Sequence, residues 1–459
     1  MKYSLWFIYL HSNPSIIFFM EYTYFVDITS WFFILFIVNT LIESVLSSIL
    51  GWLNSEKRGL RRKMASLHSF GDVAKRLFPF KKVQRALNYK RTLDGFSDVV
   101  GSVGSGFTLI VVMFGITPFM ISFFSTMFPS LPMVWCWIIV SSIGYLVCSA
   151  FKAAIEHYKD FNIEKRYGFN TKTEKIFATD FFKETAIGII ILVVMQLFFN
   201  YILSKFGDVN PVSISLFVLS VVCVGKCLQW LFINVIMQMF NKFEPLKDGE
   251  LKDKITELCK NCGFKISKIE VMDASKRSNH SNAFICGSFG KKKIVLFDTL
   301  MKNLTTNEIV SVIAHEIGHA KLHHLFFKNL QAVLTIAIGT TVAFTLMKTV
   351  GFYHAFGYSW VCAENIAQNY IIGFNLASMF MGVFGWIFLP LSSYISRKME
   401  YAADEYAVKN TYWSSDMIDA LMKLTSDNLS DLFPHPAFEF VNYSHPSILN
   451  RVNRIKKLD

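Results

Sequence analysis

Seven long apolar stretches constrain the fold of this chain more than any other feature of its sequence. A helix needs about 20 mostly apolar residues to cross the hydrocarbon core of a bilayer. Stretches of this kind occupy residues 26–52, 99–128, 131–151, 184–203, 212–240, 325–349 and 371–394. Of the 459 residues, 53% are hydrophobic and only 17% are charged, whereas ordinary soluble domains contain about 25% charged residues. We therefore predict a mainly α-helical, polytopic membrane protein with about seven transmembrane helices.

The distribution of basic residues predicts the orientation of these helices. Lysine and arginine are concentrated in residues 54–96 and 152–183, whereas residues 351–370 contain neither. Because cytoplasmic loops carry the excess of lysine and arginine, the two basic segments are predicted to be cytoplasmic and the N-terminus lumenal. Residues 241–324 and 395–459 then also face the cytoplasm. The net charge of +12 reflects these loops, and no basic–aromatic array indicates a nucleic-acid partner.

The apolar stretches divide the chain into five segments. We predict an N-terminal extension at residues 1–25, a five-span membrane region at 26–240, and spans six and seven at 325–394. Whether residues 1–20 belong to the native protein is left open. A small α+β domain is predicted in two parts, residues 241–324 and 395–459. In its first part, KISKIEVMDAS and HSNAFICGSFGKKKIVLFDTL alternate as short strands do. Cys259 and Cys262 form a C-x-x-C pair with no second pair, so neither a disulfide nor a second metal site is predicted.

The stretch VSVIAHEIGHAKLHH, residues 310–324, carries the strongest chemical signal. His315 and His319 are four residues apart, so a helix directs both imidazoles toward one point, as a tetrahedral zinc requires. Glu316 lies between these two histidines. Zinc lowers the pKa of a bound water from about 15.7 to about 7, and a nearby carboxylate can then accept its proton. The pattern predicts one Zn²⁺ per chain, with Glu316 as the general base.

The third zinc ligand is not evident within this stretch. A metzincin would have a glycine and a histidine where this chain has Leu322 and Leu325, so that pattern is excluded. His323 lies one turn beyond His319 and His324 faces elsewhere on a continuous helix. Both are interpreted as a polar collar at the membrane interface.

Downstream, SRKMEYAADEYA offers two carboxylates, Glu400 and Asp404, at i and i+4. One can bind zinc while the other accepts a hydrogen bond from a ligand imidazole. The spacing leaves open which carboxylate does which.

These motifs, taken together, resemble the type I CAAX prenyl endopeptidases, a family of integral-membrane gluzincin zinc proteases. The resemblance extends to EKRYGFN, FNKFEPLKDGELK, KRSNHSNAFICG, KKIVLFDTL and NYSHPSILNR, and covers the chain from about residue 21 onward. It implies a fold in which seven helices enclose an intramembrane chamber. It also implies that a gluzincin-like zinc domain with a short edge-strand sheet caps that chamber.

The resemblance also implies roles for single residues in the metal centre. His315, His319 and Glu400 correspond to the zinc ligands, and Glu316 to the catalytic base. Asp404 corresponds to an aspartate that supports the ligands.

Four further residues correspond to positions near the substrate or the metal. Asn282 and Ala283 match a strand edge that holds the substrate backbone. Arg451 matches a substrate-binding position, and His445 one that stabilises the oxyanion. Without the resemblance, Asn282 would be interpreted as a turn-forming residue and His445 as a capping or turn residue before Pro446.

The implied reaction is removal of the last three residues (AAX) from prenylated CAAX proteins. The implied partners are farnesylated or geranylgeranylated CAAX substrates and the lipid bilayer. The family implies the endoplasmic reticulum membrane, with the inner nuclear membrane as a further site, and the terminal KKLD resembles a dilysine retrieval signal. Two alternatives remain from the sequence: a membrane quality-control zinc protease that cleaves non-prenylated chains, and a non-catalytic membrane scaffold.

Overall fold

The computed structural model of the chain describes residues 26–55, 60–206, 211–288, 291–411 and 414–458. The predicted extension at residues 1–25 lies outside this part. Helices dominate the architecture, and a single four-stranded sheet lies among the described residues.

Long apolar helices form the membrane region, as predicted. Among the described residues, five helices are long and apolar enough to cross a membrane, and a bent helix pair adds a sixth span. Residues 211–240 are helical throughout, with a π-helical turn at Phe232–Ile236. The membrane-region helices are α1 (Trp31–Ser55), α2 (Leu60–His68), α3 (Asp72–Leu77), α4 (Phe80–Met113), α5 (Ile116–Met127), α6 (Met133–Tyr158, extended by a π-helix at Lys159–Glu164 and a turn at Lys165–Tyr167), α7 (Glu174–Phe206) and α8 (Pro211–Leu231, extended through Met237–Phe240).

The span predicted at residues 99–128 is not one continuous helix. Its first part belongs to α4, a 34-residue helix that begins at Phe80 and ends at Met113. Gly115 then adopts a left-handed conformation with φ of 57°, and α5 starts at Ile116. A left-handed residue ends the helical hydrogen-bond pattern, and hydropathy carries no information about it.

The span predicted at residues 371–394 is also broken. Helix α14 (Tyr370–Gly382) and helix α15 (Gly385–Asn410) meet at an angle of 62°. Asn39 of α1 supports this break, because its side-chain amide donates to the carbonyl of Val383 and its oxygen accepts from Trp386 Nε1 at 3.2 Å. Such a partner satisfies backbone groups that a break would otherwise expose in hydrocarbon. Helix α15 continues past the predicted end of the span, so Glu400 and Asp404 lie on the helix that leaves the membrane.

The sheet has the strand order β1-β2-β4-β3, which leaves β3 at an edge. Strand β2 (Lys268–Met272) runs parallel to β4 (Lys291–Phe297) and antiparallel to β1 (Phe243–Pro245). Strand β3 (Ala283–Ser288) pairs antiparallel with β4. The three predicted strands are confirmed. The three-residue β1 was not predicted, because it is too short for alternation to be read.

The two helices of the metal centre pack closely in the core of the soluble domain. Helix α11 (Thr306–Lys321) starts with a capping box in which Thr305 and Glu308 bond each other's backbone. A Cβ at Gly318 would lie 3.2 Å from the Ala403 backbone, so a larger residue would require α11 and α15 to move slightly apart. The remaining helices are α9 (Glu250–Asn261), α10 (Asp298–Asn303), α12 (His324–Leu346), α13 (Val350–Ala355), α16 (Ser414–Asp427), α17 (Pro436–Asn442) and α18 (Ile448–Ile455).

Candidate metal centre

Helices α11 and α15 bring three side chains together with the geometry of a metal site. The Nε2 atoms of His315 and His319 lie 3.1 Å apart. A carboxylate oxygen of Glu400 lies 3.5 Å from His315 Nε2, and the other lies 3.3 Å from His319 Nε2. Tetrahedral ligands held about 2.0–2.1 Å from zinc are separated by about 3.3–3.4 Å. These spacings are close to the ones that zinc requires, and among the described residues the three side chains form the His/Cys/Asp/Glu group that could hold a metal.

Asp404 contacts the candidate ligand His315 on the side away from the other two. Its Oδ1 lies 2.9 Å from His315 Nδ1, the ring nitrogen that faces away from the other ligands. Arg451 donates to the same carboxylate through Nε at 2.8 Å and Nη2 at 2.5 Å. Glu400, and not Asp404, is within ligand distance of both imidazoles, which is the choice that the sequence spacing left open. Arg451, expected at a substrate-binding position, lies behind Asp404, and its side chain is 13% exposed.

The electrostatics of the centre favour proton exchange at two groups. Burial alone would lower the pKa of His315, but hydrogen bonds with Asp404 and Glu400 outweigh it and raise the pKa to about 9. A metal bound at Nε2 would therefore displace a proton from this imidazole. Burial raises the pKa of Glu316 above its ordinary value, although the neighbouring His315 opposes the shift. A carboxyl group whose pKa moves toward neutrality is better suited to accept and return a proton.

His324 lies against the candidate metal centre, and not in the polar collar that was predicted from the sequence. Its Nδ1 is 2.8 Å from Nδ1 of His319, and the residue is buried. The prediction is wrong because α11 does not continue to His324: His323 is left-handed with φ of 55°, and a new helix begins at His324. His323 itself is exposed.

The edge strand β3 leaves the backbone of its first residue unpaired on the side away from β4. The backbone N–H of Phe297 donates to the carbonyl of Asn282 at 3.1 Å, so Asn282 faces β4. In an antiparallel pair the next residue faces the other way, so the backbone N–H and C=O of Ala283 point to the free edge. The side chain of Asn282 accepts a hydrogen bond from that N–H at 2.8 Å. An incoming peptide strand would compete with this contact.

Asn428, at the end of α16, fixes the segment that leads into this edge. Its Oδ1 accepts from the Ser281 N–H at 3.0 Å, and its Nδ2 donates to the Ser281 carbonyl at 3.2 Å. The same oxygen lies 3.2 Å from His280 Nδ1. His280 in turn stacks on Phe169 with ring centroids 4.0 Å apart. Sequence reasoning missed Asn428, because nothing near it in the chain marks a contact 147 residues away.

His445 lies beside the candidate ligands on a braced loop. Its Nδ1 is 2.8 Å from Glu400 Oε2, and its side chain is 67% exposed. Arg397 holds the preceding segment, because its Nη1 donates to the carbonyls of Glu439 and Tyr443, both at 2.7 Å. The Glu439 carboxylate then accepts from the Ser447 N–H at 2.9 Å. These contacts fix the loop on both sides of His445.

Comparison with known protein families agrees with this architecture. Residues 245–459 match the model of peptidase family M48, and residues 61–242 match that of the CAAX prenyl protease N-terminal region with five membrane helices.

Individual relatives cover most of the chain. The Probable CAAX prenyl protease 1 of Schizosaccharomyces pombe is 32% identical over 82% of this chain and 79% of its own length. The CAAX prenyl protease 1 of Saccharomyces cerevisiae is 35% identical over 69% of this chain and 70% of its own length. The crystal structure of S. mikatae Ste24p superposes with a TM-score of 0.82 and 27% identity, covering 93% of this chain and 99% of that one. This likeness confirms the predicted fold, a polytopic membrane protein with an intramembrane chamber.

Proposed function

The chain belongs to the CAAX prenyl protease 1 family and is a membrane metalloendopeptidase, and from this premise we propose that it uses zinc to remove the last three residues of prenylated CAAX proteins. The observation that carries the proposal is the His315–His319–Glu400 group, whose ligand atoms lie within 4.8 Å of one another, near the end of α11 and the start of the membrane helix α12. A prenylated C-terminus joins an apolar chain to a polar peptide. An enzyme acting on that junction needs its centre where hydrocarbon meets water.

The donor set supports zinc as the metal. Two imidazoles and one carboxylate are typical of catalytic zinc sites, which keep a fourth position open. When bound, zinc would supply Lewis-acid chemistry: it lowers the pKa of water and polarises the peptide carbonyl. His315, His319 and Glu400 would hold it, and Asp404 would keep the His315 ring in the tautomer whose Nε2 is free.

The surrounding side chains suggest how the chain's own groups act. Glu316, adjacent to the ligand His315, accepts the proton of the attacking water and returns it to the departing amine, for which its raised pKa suits it. His445, which contacts Glu400 and is largely exposed, donates a hydrogen bond to the developing oxyanion.

The free edge of the sheet supplies a site for the peptide. The substrate backbone pairs with Ala283 by β-augmentation, and Asn282 exchanges its contact with the Ala283 N–H for a contact with the substrate. Arg451 acts through Asp404 and holds that carboxylate in position.

We propose a cytoplasmic orientation for the soluble domain, in the membrane of the endoplasmic reticulum and the inner nuclear membrane. The basic connectors support this orientation.

A pair of peptides tests the substrate class. Purified chain is incubated with a farnesylated CAAX peptide and with its unprenylated twin, and the products are identified by mass spectrometry. We expect a single cut after the prenylcysteine and much slower cleavage of the twin. Equal cleavage of both peptides at scattered bonds would contradict the proposal and favour the quality-control alternative.

A further inference from the structure

The ring of His324 lies directly behind one of the candidate zinc ligands. Its Nδ1 is 2.8 Å from His319 Nδ1, and the two rings meet edge to face with centroids 5.0 Å apart. His319 Nε2 is the atom that faces His315 and Glu400. The nitrogen of His319 that faces away from the ligand cluster is therefore the one that contacts His324.

The chain reaches this arrangement through a break between two helices. Helix α11 ends at Lys321, and Leu322 still donates its N–H to the Gly318 carbonyl at 2.9 Å. His323 is left-handed, and α12 begins at His324. On a continuous helix, five residues correspond to about 500°, so His324 would point about 140° away from His319. The left-handed turn brings the ring back to the ligand.

The positions of the protons follow from metal binding. A nitrogen that binds a metal carries no proton, so a ligating His319 Nε2 leaves the single ring proton on Nδ1. That N–H has His324 Nδ1 as its partner, which must then be the acceptor. The opposite direction would place a proton on the His319 nitrogen that faces Glu400 and would exclude the metal.

From this geometry we propose that His324 is a positioning residue for the metal centre. It accepts the hydrogen bond from His319 Nδ1 and so fixes the tautomer and ring orientation in which Nε2 meets the metal. The inference rests on the proposed ligand set and extends it. His324 does for His319 what Asp404 does for His315, but through a ring nitrogen in place of a carboxylate.

The two supporting groups differ in charge. Asp404 is a carboxylate paired with Arg451, whereas an accepting His324 is a neutral imidazole. A carboxylate raises the basicity of a ligand imidazole more than a neutral acceptor does. His324 therefore raises the basicity of His319 less than Asp404 raises that of His315. Its main effect is to fix the orientation of the His319 ring.

Three variants of the full-length protein in detergent separate hydrogen bonding from packing. His324→Phe keeps an aromatic ring but has no acceptor. His324→Asn places an oxygen two bonds from Cβ, where Nδ1 of the histidine stands. His323→Asn is the matched control, because His323 is adjacent, exposed and left-handed, and asparagine tolerates that conformation.

The main readout is zinc affinity, measured by competition with a chelator on metal-depleted protein. Loss of a group that supports a metal ligand costs about 10- to 100-fold in affinity, and we expect a loss in this range for His324→Phe. His324→Asn should restore most of the affinity, and His323→Asn should bind zinc as the wild type does. The visible absorption of the cobalt-loaded protein should change in His324→Phe and not in the control, since it reports ligand geometry.

Several results would overturn the inference. Wild-type zinc affinity in His324→Phe would show that no positioning contact exists. Failure of His324→Asn to restore affinity would show that the ring acts by packing and not as an acceptor. If His324→Phe does not fold, His324→Ala compared with His324→Asn makes the same test. A wild-type protein that binds no zinc would instead contradict the proposed metal centre, so the two failures are distinguishable.

Discussion

Replacing Asp404 by asparagine is predicted to weaken both the fold and metal binding, for two separable reasons. Asp404 is buried and accepts two hydrogen bonds from Arg451, whose side chain is only 13% exposed. The isosteric amide keeps the shape of the site but leaves the Arg451 cation without its counter-charge. Removing one partner of a buried ion pair costs about 3–5 kcal/mol. We expect a value near the lower end, about 3 kcal/mol, because Glu400 remains 3.9 Å from Arg451.

The effect on the metal has another origin. The amide oxygen can still accept from His315 Nδ1, which lies 2.9 Å from the carboxylate in the native protein. The neutral acceptor raises the basicity of the imidazole less than the carboxylate does. Zinc affinity should therefore fall by about tenfold, the lower end of the range for groups that support metal ligands.

A double-variant cycle distinguishes these two effects. Stability is measured on metal-depleted protein by denaturant unfolding in detergent, and zinc affinity by chelator competition. Adding Arg451→Met to Asp404→Asn removes the stranded cation, so the unfolding free energy should recover to within about 1 kcal/mol of wild type. Zinc affinity should stay low. A double variant as unstable as the single one would refute the stranded-charge argument. Unchanged zinc affinity in Asp404→Asn would refute the support of His315.

Three further predictions concern the centre, the peptide edge and the orientation. Because the pKa of His315 is raised from 6.5 to about 9, metal-depleted protein should lose stability as the pH rises from about 6.5 through about 9. Zinc affinity, measured in metal buffers, should rise over the same interval, and an affinity independent of pH would contradict this prediction. Asn428→Ala leaves the backbone N–H and C=O of the buried Ser281 without the Asn428 side chain as partner, so we expect a destabilisation of about 2–4 kcal/mol and a higher KM for the peptide. An unchanged KM would show that Asn428 does not position the edge strand for the peptide. The proposed cytoplasmic part contains four Asn-x-Ser/Thr sequences, at Asn279, Asn303, Asn428 and Asn442. These asparagines should not be glycosylated, so glycosidase treatment should leave the electrophoretic mobility of the protein unchanged, whereas an acceptor cassette inserted in residues 351–370 should be glycosylated.

The sequence predicted the parts of the centre that depend on helical periodicity. His315 and His319 share a face because they are four residues apart, and the structure brings their Nε2 atoms to 3.1 Å. The choice between Glu400 and Asp404 could not be predicted, since both lie on one face of α15. Their surroundings decide it, because Arg451 reaches Asp404 across 47 residues of chain.

What the sequence did not predict depends on breaks and on long-range contacts. His324 was misplaced because periodicity was carried through a residue that is left-handed. The same limit explains the spans broken at Gly115 and Val383, since a hydropathy window averages over backbone conformation. Asn428 contacts a backbone segment that is distant in the chain, and a contact of this kind leaves no local pattern.

The central claim is that Glu316 and a metal held by His315, His319 and Glu400 carry out peptide hydrolysis. The most direct test is single-turnover cleavage of a farnesylated CAAX peptide by zinc-loaded wild type and zinc-loaded Glu316→Gln, each with and without a chelator. Zinc content is measured on the same samples, because the amide keeps the size of the carboxyl group and should leave the metal in place. We predict that both proteins bind one zinc per chain, that wild-type cleavage stops with the chelator, and that Glu316→Gln does not cleave. Cleavage by zinc-loaded Glu316→Gln at the wild-type rate would contradict the account.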